Sequence, residues 1–223
     1  MSYTLTKYLS PNFDFRSNGI PVDMLVIHYT GMTSGAAALA RLCDPKAKVS
    51  AHYLIEEDGL VFQLVDEENR AWHAGVSCWF GNNNLNDRSI GIELVNPGHE
   101  FGYRPFPEAQ MQALISLSTD ILARYSIAAR NVVGHSDVAP KRKKDPGELF
   151  NWRALAGAGI GLWPVKGIVS DLEPTVLLNQ IGYNVDELES VVKAFQRRYR
   201  PHRVDGICDQ ETFGLLAAVA AMT

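Results

Sequence analysis

The chain has 223 residues, of which 46% are hydrophobic, with a formal net charge of -4 and an isoelectric point of about 5.9. This length and apolar content are sufficient for one sizeable core and a smaller second one. The acidic balance argues against a nucleic-acid-binding protein. No apolar run approaches the roughly 20 residues of a membrane span. The three cysteines are far apart in sequence, which argues against a disulfide framework and favours reducing surroundings.

Short strands are predicted in the first two thirds of the chain, beginning with the apolar, β-forming segment 24–30 (MLVIHYT). The Asp58-Gly59 pair between two apolar segments is the strongest short-range signal for a hairpin. Segment 88–95 (RSIGIELV) shows the alternation of a strand with two different faces. A last short strand, 131–135 (NVVGH), ends at a histidine.

Helices are predicted between these strands. Segment 33–43 (TSGAAALARLC) begins with a Thr/Ser cap and continues through alanines. Segment 107–126 has apolar residues at helical spacing, with a proline at a permitted first-turn position. Strands and helices mixed with a hairpin predict a layered α/β or α+β domain.

The composition changes at residues 165–173, which have the character of a linker. Beyond them the pattern is helical throughout, and about 50 residues in three short helices make a minimal domain. We therefore divide the chain into a main domain, 1–164, the linker, 165–173, and a three-helix domain, 174–223. Because contacts between domains need not be large, we expect the main domain to remain folded when residues 171–223 are removed. The basic stretches 141–144 and 196–203 are predicted to be solvated surface.

Two histidines and one aspartate form a candidate metal site. His28 and His135 each end a predicted strand, and Asp145 follows the second one across a loop that two prolines stiffen. Two imidazoles and one carboxylate suit a tetrahedral site whose fourth position is open to water. Taken alone, a strand histidine is more often a core residue with satisfied hydrogen bonds. That alternative does not explain why Lys143 and Asp145 lie beside His135.

Glu93 is a second candidate for chemistry. It lies in the middle of a predicted strand, on the face opposite Ile90, Ile92 and Leu94. An ionised carboxylate in that position is costly unless it is paired or works in a cleft. A role as general base beside a metal-bound water would account for it. An ordinary exposed strand face accounts for it equally well.

Five motifs follow one another in a fixed order: VIHYT (26–30), VSAHYLIEEDG (49–59), RAWHAGVS (70–77), SIGIELVN (89–96) and GHSDVAPKRKKDPG (134–147). Together they resemble the zinc-dependent N-acetylmuramoyl-L-alanine amidases of the Amidase_2 family, the AmpD and AmiD type related to peptidoglycan recognition proteins. The resemblance implies an amidase-like fold of the α/β class, with a mixed central β-sheet flanked by helices. It implies that His28, His135 and Asp145 are ligands of one zinc ion. It also implies that Glu93 activates the water and that Lys143 stabilises the oxyanion.

The same resemblance bears on other polar residues. A related branch of the superfamily uses a tyrosine just before the histidine of the HYL-like motif, but Ala51 stands there, so the base role falls to Glu93. Four residues in or near the motifs are candidates for a glycan-peptide groove, although structural roles are equally compatible: Tyr29, Arg70, His73 and Asn86. His52 is predicted to pack beside the hairpin, and His99 and His202 are predicted to lie on the surface.

The C-terminal segment resembles the three-helix peptidoglycan-binding domain that often accompanies such amidases. The resemblance rests on VVKAFQRRY (191–199) and on a VDG…T signature formed by Val204, Asp205, Gly206 and Thr212. A plain helical extension is the alternative.

The resemblance as a whole implies hydrolysis of the amide bond between the lactyl group of N-acetylmuramic acid, or its anhydro form, and L-alanine of the stem peptide. A non-catalytic peptidoglycan-recognition module is the alternative, but such modules lose part of the metal site. We expect peptidoglycan or muropeptides as the partner, no nucleic acid, and a monomer. The absence of a signal-peptide pattern favours a cytoplasmic location, whereas a wall-binding tail favours the cell envelope.

Overall fold

A computed structural model describes residues 3–223 of the chain. The strands in this part are β1 (Leu5–Lys7), β2 (Phe13–Phe15), β3 (Met24–Tyr29), β4 (Tyr53–Ile55), β5 (Val61–Gln63), β6 (Asn69–Ala71), β7 (Ser89–Leu94) and β8 (Val132–Gly134). The helices are α1 (Gly35–Cys43), α2 (Leu85–Arg88), α3 (Gly98–Phe101), α4 (Glu108–Arg124), α5 (His135–Val138), α6 (Trp152–Gly157), α7 (Pro174–Ile181), α8 (Leu188–Tyr199) and α9 (Gln210–Ala220). A 3-10 turn at Ala129–Asn131 precedes β8.

The main sheet has the spatial order β1-β5-β4-β7-β3-β8, and a small separate sheet pairs β2 with β6. Its central strands β4, β7, β3 and β8 run parallel, while the β4–β5 pair is antiparallel. Parallel strands covered on both faces are apolar throughout, and β3 is buried along nearly its whole length. The predicted mixed α/β fold is confirmed. Among the helices of residues 3–223, none combines the length and the apolar character needed to cross a membrane.

The register of the parallel strands brings the candidate residues to one edge of the sheet. His28 on β3 lies opposite Glu93 on β7. Ile27 lies opposite Gly134, the last residue of β8, so that His135 follows directly at the same level. The carboxyl ends of parallel strands are where α/β folds place their ligand sites.

The predicted hairpin is confirmed, since β4 and β5 are joined through the Asp58-Gly59 turn. Gly59 has φ of +90°, a left-handed conformation that favours glycine. A Cβ atom at this position would lie 2.8 Å from the carbonyl oxygen of Ala109. The side chain of Gln110 on α4 donates to the carbonyl oxygens of Ile55 and Val95. Helix α4 is therefore fixed on one face of the sheet.

The three predicted C-terminal helices are confirmed as α7, α8 and α9, but they do not have a core of their own. Their apolar residues form one cluster with residues of the main sheet and its loops: Met24, Val26, Val133 and Val138 pack with Leu178, Phe195 and Leu216. Removing these helices would expose this face of the sheet to water. The structure therefore gives no support to the expectation that the main domain stays folded without residues 171–223, and the domain boundaries remain a prediction.

One prediction for the basic stretches is wrong. Arg198 and Arg200 are 4% and 2% exposed, although the stretch 196–203 was expected to be solvated surface. Each guanidinium is buried because a carboxylate accompanies it: Asp137 beside Arg198, and Asp209 beside Arg200. By contrast, the predicted linker has no regular secondary structure.

Candidate metal centre and cleft

Three buried side chains converge at the carboxyl edge of the sheet. The Nδ1 atoms of His28 and His135 are 2.9 Å apart, and each lies 3.1 Å from Oδ2 of Asp145. Zinc bonds of about 2.0–2.1 Å in tetrahedral geometry separate the ligand atoms by about 3.3 Å. The three atoms thus already lie within a few tenths of an ångström of the spacing that such an ion requires. The structure brings together all three residues predicted as metal ligands.

The backbone around these residues explains the convergence. His28 is the penultimate residue of β3, and His135 begins α5 immediately after β8. The chain then turns, because the N–H groups of Arg142 and Lys143 donate to the carbonyl oxygen of Ala139. The N–H of Ser136 donates to the carbonyl oxygen of Asp145 at 2.8 Å, which ties the end of the loop to its beginning.

A hydrogen-bonded chain determines which nitrogen of His28 faces the site. The Ser89 hydroxyl donates to the carbonyl oxygen of Leu85 at 2.6 Å, so it accepts from Nε2 of His73 at 3.2 Å. Nδ1 of His73 is then an acceptor, and Nε2 of His28 donates to it at 3.0 Å. This assignment leaves the lone pair of His28 on Nδ1, where it points toward Asp145.

His135 is oriented in the same way by a backbone oxygen. Its Nε2 lies 3.0 Å from the carbonyl oxygen of Ala74, which can only accept a hydrogen bond. Nε2 therefore carries the proton, and Nδ1 presents its lone pair to the site. Because the two Nδ1 atoms and the Asp145 carboxylate are all acceptors, the hydrogen bonds of the protein cannot satisfy them. A bound cation can do so.

Electrostatics favour the protonation states that a metal needs. Burial, and then the nearby His135, lower the pKa of His28 to about 4 although Asp145 opposes the shift. Burial likewise lowers the pKa of His73 well below its ordinary value, followed in effect by His28. His28 is therefore neutral near pH 7, as a metal-binding imidazole must be.

Glu93 and Lys143 line the same cleft as the candidate ligands. The Oε2 atom of Glu93 is buried and has no hydrogen-bond partner among residues 3–223. Burial, and then the charge of Asp145, raise the pKa of Glu93 well above its ordinary value, while Lys143 opposes the shift. A carboxylate with a raised pKa and a free oxygen in a cleft has the properties of a general base near neutral pH.

The cleft has a volume of about 560 Å³, within the range of small-molecule sites. Its wall contains four basic side chains, Arg41, Arg142, Lys143 and Lys144. Three acidic side chains, Glu93, Glu100 and Asp145, line it as well. The basic side chains lie in the same cleft as the candidate metal ligands and can attract a ligand that carries carboxylates.

Two of the four predicted groove residues line the cleft and two do not. Tyr29 and His73 line the cleft. Arg70 and Asn86 do not belong to its lining. The Arg70 guanidinium lies 3.2 Å from the Asp14 carboxylate, and Oδ1 of Asn86 accepts from the N–H groups of His73 and Ala74. Asn86 thus fixes the backbone that orients both histidines of the candidate metal site.

His99 was predicted to lie on the surface, but the structure places it in the cleft wall. The Tyr29 hydroxyl lies 2.8 Å from Nδ1 of His99, whose Nε2 lies 3.2 Å from both carboxylate oxygens of Glu148. The ring of Tyr103 stacks on His99 with centroids 4.3 Å apart. A histidine after a Pro-Gly pair reads as a loop residue, and the sequence gives no signal of these distant partners. His52 packs beside the hairpin as predicted: it is fully buried.

Sequence reasoning also missed Arg142. Its Nη2 atom donates to the carbonyl oxygens of Ala74 and Val76 at 2.9 and 2.7 Å. Ala74 is the residue that accepts from His135, so Arg142 helps to hold the segment that orients this ligand. Within a run of basic residues, one arginine with this role cannot be distinguished from its solvated neighbours.

Comparison with known sequences identifies two regions. A family model described as N-acetylmuramoyl-L-alanine amidase matches residues 18–148. A second model, for a peptidoglycan binding domain, matches residues 174–216. The chain is 41% identical to N-acetylmuramoyl-L-alanine amidase AmiD of Escherichia coli over 229 aligned positions, which cover 89% of this chain and 82% of that protein. It is 39% identical to 1,6-anhydro-N-acetylmuramyl-L-alanine amidase AmpD of Haemophilus influenzae, over 64% of this chain and 85% of that protein.

Solved structures agree with these matches. A complex of Escherichia coli AmiD with the substrate anhydro-N-acetylmuramic acid-L-Ala-D-γ-Glu-L-Lys superposes with a TM-score of 0.82 and 38% identity, covering 93% of this chain and 92% of that one. AmpDh3 from Pseudomonas aeruginosa superposes with a TM-score of 0.83 and 35% identity, covering 96% and 98% of the two chains. From its sequence, its fold and its arrangement of side chains, the chain belongs to the N-acetylmuramoyl-L-alanine amidase family.

Proposed function

We propose that this protein is a zinc-dependent amidase that cleaves the bond between the lactyl group of N-acetylmuramic acid and L-alanine of the stem peptide. One observation carries the proposal. Three lone pairs, from His28, His135 and Asp145, converge in a cleft beside the unpartnered carboxylate of Glu93. Acceptors without donors are unfavourable in a buried site unless a cation joins them.

The donor set fits zinc. Two imidazole nitrogens and one carboxylate oxygen leave a fourth position in a tetrahedral site, as in catalytic zinc centres. A bound zinc ion supplies a Lewis acid and lowers the pKa of a coordinated water to roughly 7. The surrounding residues maintain this centre: His73 and Ala74 accept from the outer nitrogens of the two histidines, which keeps both Nδ1 lone pairs directed inward.

In this mechanism Glu93 moves the proton and Lys143 stabilises the charge. Glu93 accepts a proton from the attacking water, because its raised pKa makes it a base of the required strength. As the tetrahedral carbon forms, the ammonium group of Lys143 stabilises the developing oxyanion. Glu93 then donates its proton to the amide nitrogen of L-alanine. This step is needed because an unprotonated amide nitrogen is a poor leaving group.

The cleft and the C-terminal region suggest how the substrate is held. A stem peptide carries carboxylates, and the basic wall formed by Arg41, Arg142 and Lys144 would attract them. Tyr29 lies in the same wall and offers a ring face to the glycan or peptide. The match of residues 174–216 to a peptidoglycan binding domain supports a role for this region in contacting the wall polymer. Relatives named for the anhydro form support the acceptance of anhydro-muropeptides as well.

The proposal can be tested with purified protein and a defined muropeptide. Mass spectrometry should detect a free peptide with L-alanine at its amino terminus and a muramic acid with a free lactyl carboxylate. Chelation should abolish the reaction, and added zinc should restore it. Tight binding of the muropeptide without cleavage, in the zinc-loaded protein, would favour the recognition module instead.

A further inference from the structure

The C-terminal region also donates hydrogen bonds to the loop that contains His135 and Asp145. Asp137 lies two residues after His135, and its carboxylate accepts three hydrogen bonds. Oδ2 accepts from the N–H of Gly134 at 2.8 Å and from Nη1 of Arg198 at 3.0 Å. Oδ1 accepts from the hydroxyl of Tyr183 at 2.6 Å. Two of the three donors therefore belong to the region that matches a peptidoglycan binding domain.

These contacts lie in the interior of the protein. Asp137, Arg198 and Tyr183 are 2%, 4% and 3% exposed. Within residues 3–223, Asp137 and Arg198 have no ion-pair partner other than each other. The Arg198 guanidinium lies 4.1 Å from the ring centroid of Trp152 on α6, which follows the metal-ligand loop in sequence. A buried charge pair held in this way has one permitted arrangement, because either charge without the other would be strongly unfavourable.

The close packing around Gly134 connects the Asp137–Arg198 pair to the backbone next to His135 and Asp145. A Cβ atom on Gly134 would lie 2.7 Å from Cδ of Pro146 and 3.2 Å from the ring of Trp152. The residues just before His135 and just after Asp145 are thus in close contact. The N–H of Gly134 is the group that Asp137 accepts from. Any displacement of Asp137 would move the backbone at the start of α5, where His135 is attached.

Arg197, the residue before Arg198, contacts Glu148 near the C-terminal end of the same loop. Nε of Arg197 lies 3.9 Å from Oε2 of Glu148, and Glu148 in turn contacts His99 in the cleft wall. Consecutive residues of α8 therefore contact acidic residues at both ends of the segment 137–148. This segment contains Lys143 and Asp145.

We infer that Arg198 and Tyr183 are positioning residues for the metal ligand His135, acting through Asp137. The inference rests on the proposed function, because it takes His135 as a metal ligand. It gives the C-terminal helices a second role besides contact with the wall polymer: they complete the support of the metal centre. Loss of supporting hydrogen bonds around metal ligands typically weakens metal binding by about 10–100-fold. We expect about 10-fold here, since Asp137 acts on the backbone and not on the imidazole itself.

The mildest test is Tyr183→Phe, which removes one hydroxyl and leaves the ring in place. Arg198→Lys keeps the charge but loses the fixed geometry of the guanidinium. Both variants should bind zinc about 10-fold more weakly in competition with a chelator. At saturating zinc, kcat should fall while the KM for a small muropeptide stays unchanged. Binding to insoluble peptidoglycan should also stay unchanged, because neither residue is exposed.

Arg200→Met is the matched control. Arg200 is as deeply buried as Arg198, but its partners are Asp209, Glu211 and Thr212, all within the C-terminal helices. This variant should unfold at a lower temperature and yet bind zinc with wild-type affinity. Equal weakening of zinc binding in Arg200→Met would overturn the inference, because general destabilisation would then explain the effect.

Two further outcomes separate the inference from the proposed function. Wild-type zinc affinity and kcat in both Tyr183→Phe and Arg198→Lys would overturn the inference alone. A wild-type protein that binds no zinc would overturn the proposed function, and the inference with it. Tyr183→Phe removes no charge and creates no large cavity, so it keeps the test decisive if the arginine variant fails to fold.

Discussion

Two buried aspartates on one loop, Asp137 and Asp145, have opposite surroundings. Asp137 accepts from a backbone N–H, a phenol hydroxyl and a guanidinium. Asp145 faces two imidazole nitrogens whose lone pairs point toward it. The first carboxylate is satisfied by donors within the chain. The second lies among acceptors and needs a cation from outside.

This difference separates a structural cluster from a functional one. In the Asp137 cluster, the negative charge is balanced by Arg198, and its oxygens are hydrogen-bonded. In the Asp145 cluster, the carboxylate faces two imidazole nitrogens, and no arginine or lysine of residues 3–223 lies within ion-pair distance of it. Burial is alike in the two clusters, so burial alone does not single out the candidate metal centre. What identifies it is the balance of donors and acceptors.

The largest expected effect on the reaction rate is at Glu93, whose unsatisfied carboxylate lines the same cleft as the Asp145 cluster. Glu93→Gln keeps the size of the side chain but cannot accept a proton. Removal of a general base typically lowers the rate by about 10²–10⁴-fold, so we expect kcat to fall by that factor with zinc content unchanged. Steady-state kinetics and elemental analysis check both parts. Wild-type turnover in this variant would remove Glu93 from the mechanism.

A substitution in the Asp137 cluster should lower the free energy of unfolding. Asp137→Asn leaves Arg198 buried without a partner, and arginine cannot lose its charge. Breaking a buried pair in this way typically costs about 3–5 kcal/mol, which denaturant unfolding would measure. The double variant Asp137→Asn/Arg198→Met is the control, and it should recover much of the loss because no charge remains. If the single variant is as stable as the wild type, the two clusters do not differ as described.

The sequence predicts the Asp145 cluster better than the Asp137 cluster. His28, His135 and Asp145 could be predicted because they lie at strand ends, where parallel strands bring their side chains to one edge. Glu93 was detectable as an acid within an apolar strand. These signals are local, and the motifs that contain them resemble a known family.

No local sequence signal predicts the Asp137 cluster. Asp137 and Arg198 are 61 positions apart, and Arg198 lies in a basic stretch that reads as solvated surface. The apolar stripe of α8 predicts a helix but does not say what covers it. For the same reason the sequence could not show that the C-terminal helices share their core with the main sheet. Arg70 and Asn86 lie in family motifs, yet nothing local distinguishes backbone support from contact with substrate.

Lys143 should show a smaller effect than Glu93. Lys143→Met keeps most of the aliphatic chain and removes the charge that would stabilise the oxyanion. Loss of one such donor typically lowers kcat by about 10²–10³-fold. The matched control is Lys144→Met, whose residue lines the same cleft and is assigned to attracting the substrate but not to the chemical step. In this control kcat should be retained while KM rises. Equal losses in the two variants would indicate a general effect of positive charge and not a specific role of Lys143.

The smallest effect is the pH dependence of stability in the metal-free protein. Burial lowers the pKa of His28 to about 4 and that of His52 to about 3. Between these values and about 6.5, the unfolded chain binds protons that the folded chain excludes. The free energy of unfolding should therefore fall as the pH is lowered from about 6.5 toward 4. His73, whose pKa is also lowered, adds to this loss of stability, and Glu93, whose pKa is raised, opposes it. Three groups against one leave a net slope of about 2.7 kcal/mol per pH unit.

Chemical denaturation of the metal-free protein at several pH values checks this slope. A stability that rises as the pH falls through this range would contradict the neutral, buried state of His28 and His52.

The central claim is that Asp145 belongs to a cluster that requires a cation, whereas Asp137 does not. The most direct test is the zinc content of purified wild-type protein and of Asp145→Asn, measured by elemental analysis after dialysis against a weak chelator. The account predicts one zinc per chain in the wild type and none in Asp145→Asn, with the variant still folded. Zinc retained by Asp145→Asn at the wild-type level, or a folded wild-type protein that takes up no zinc, would contradict it.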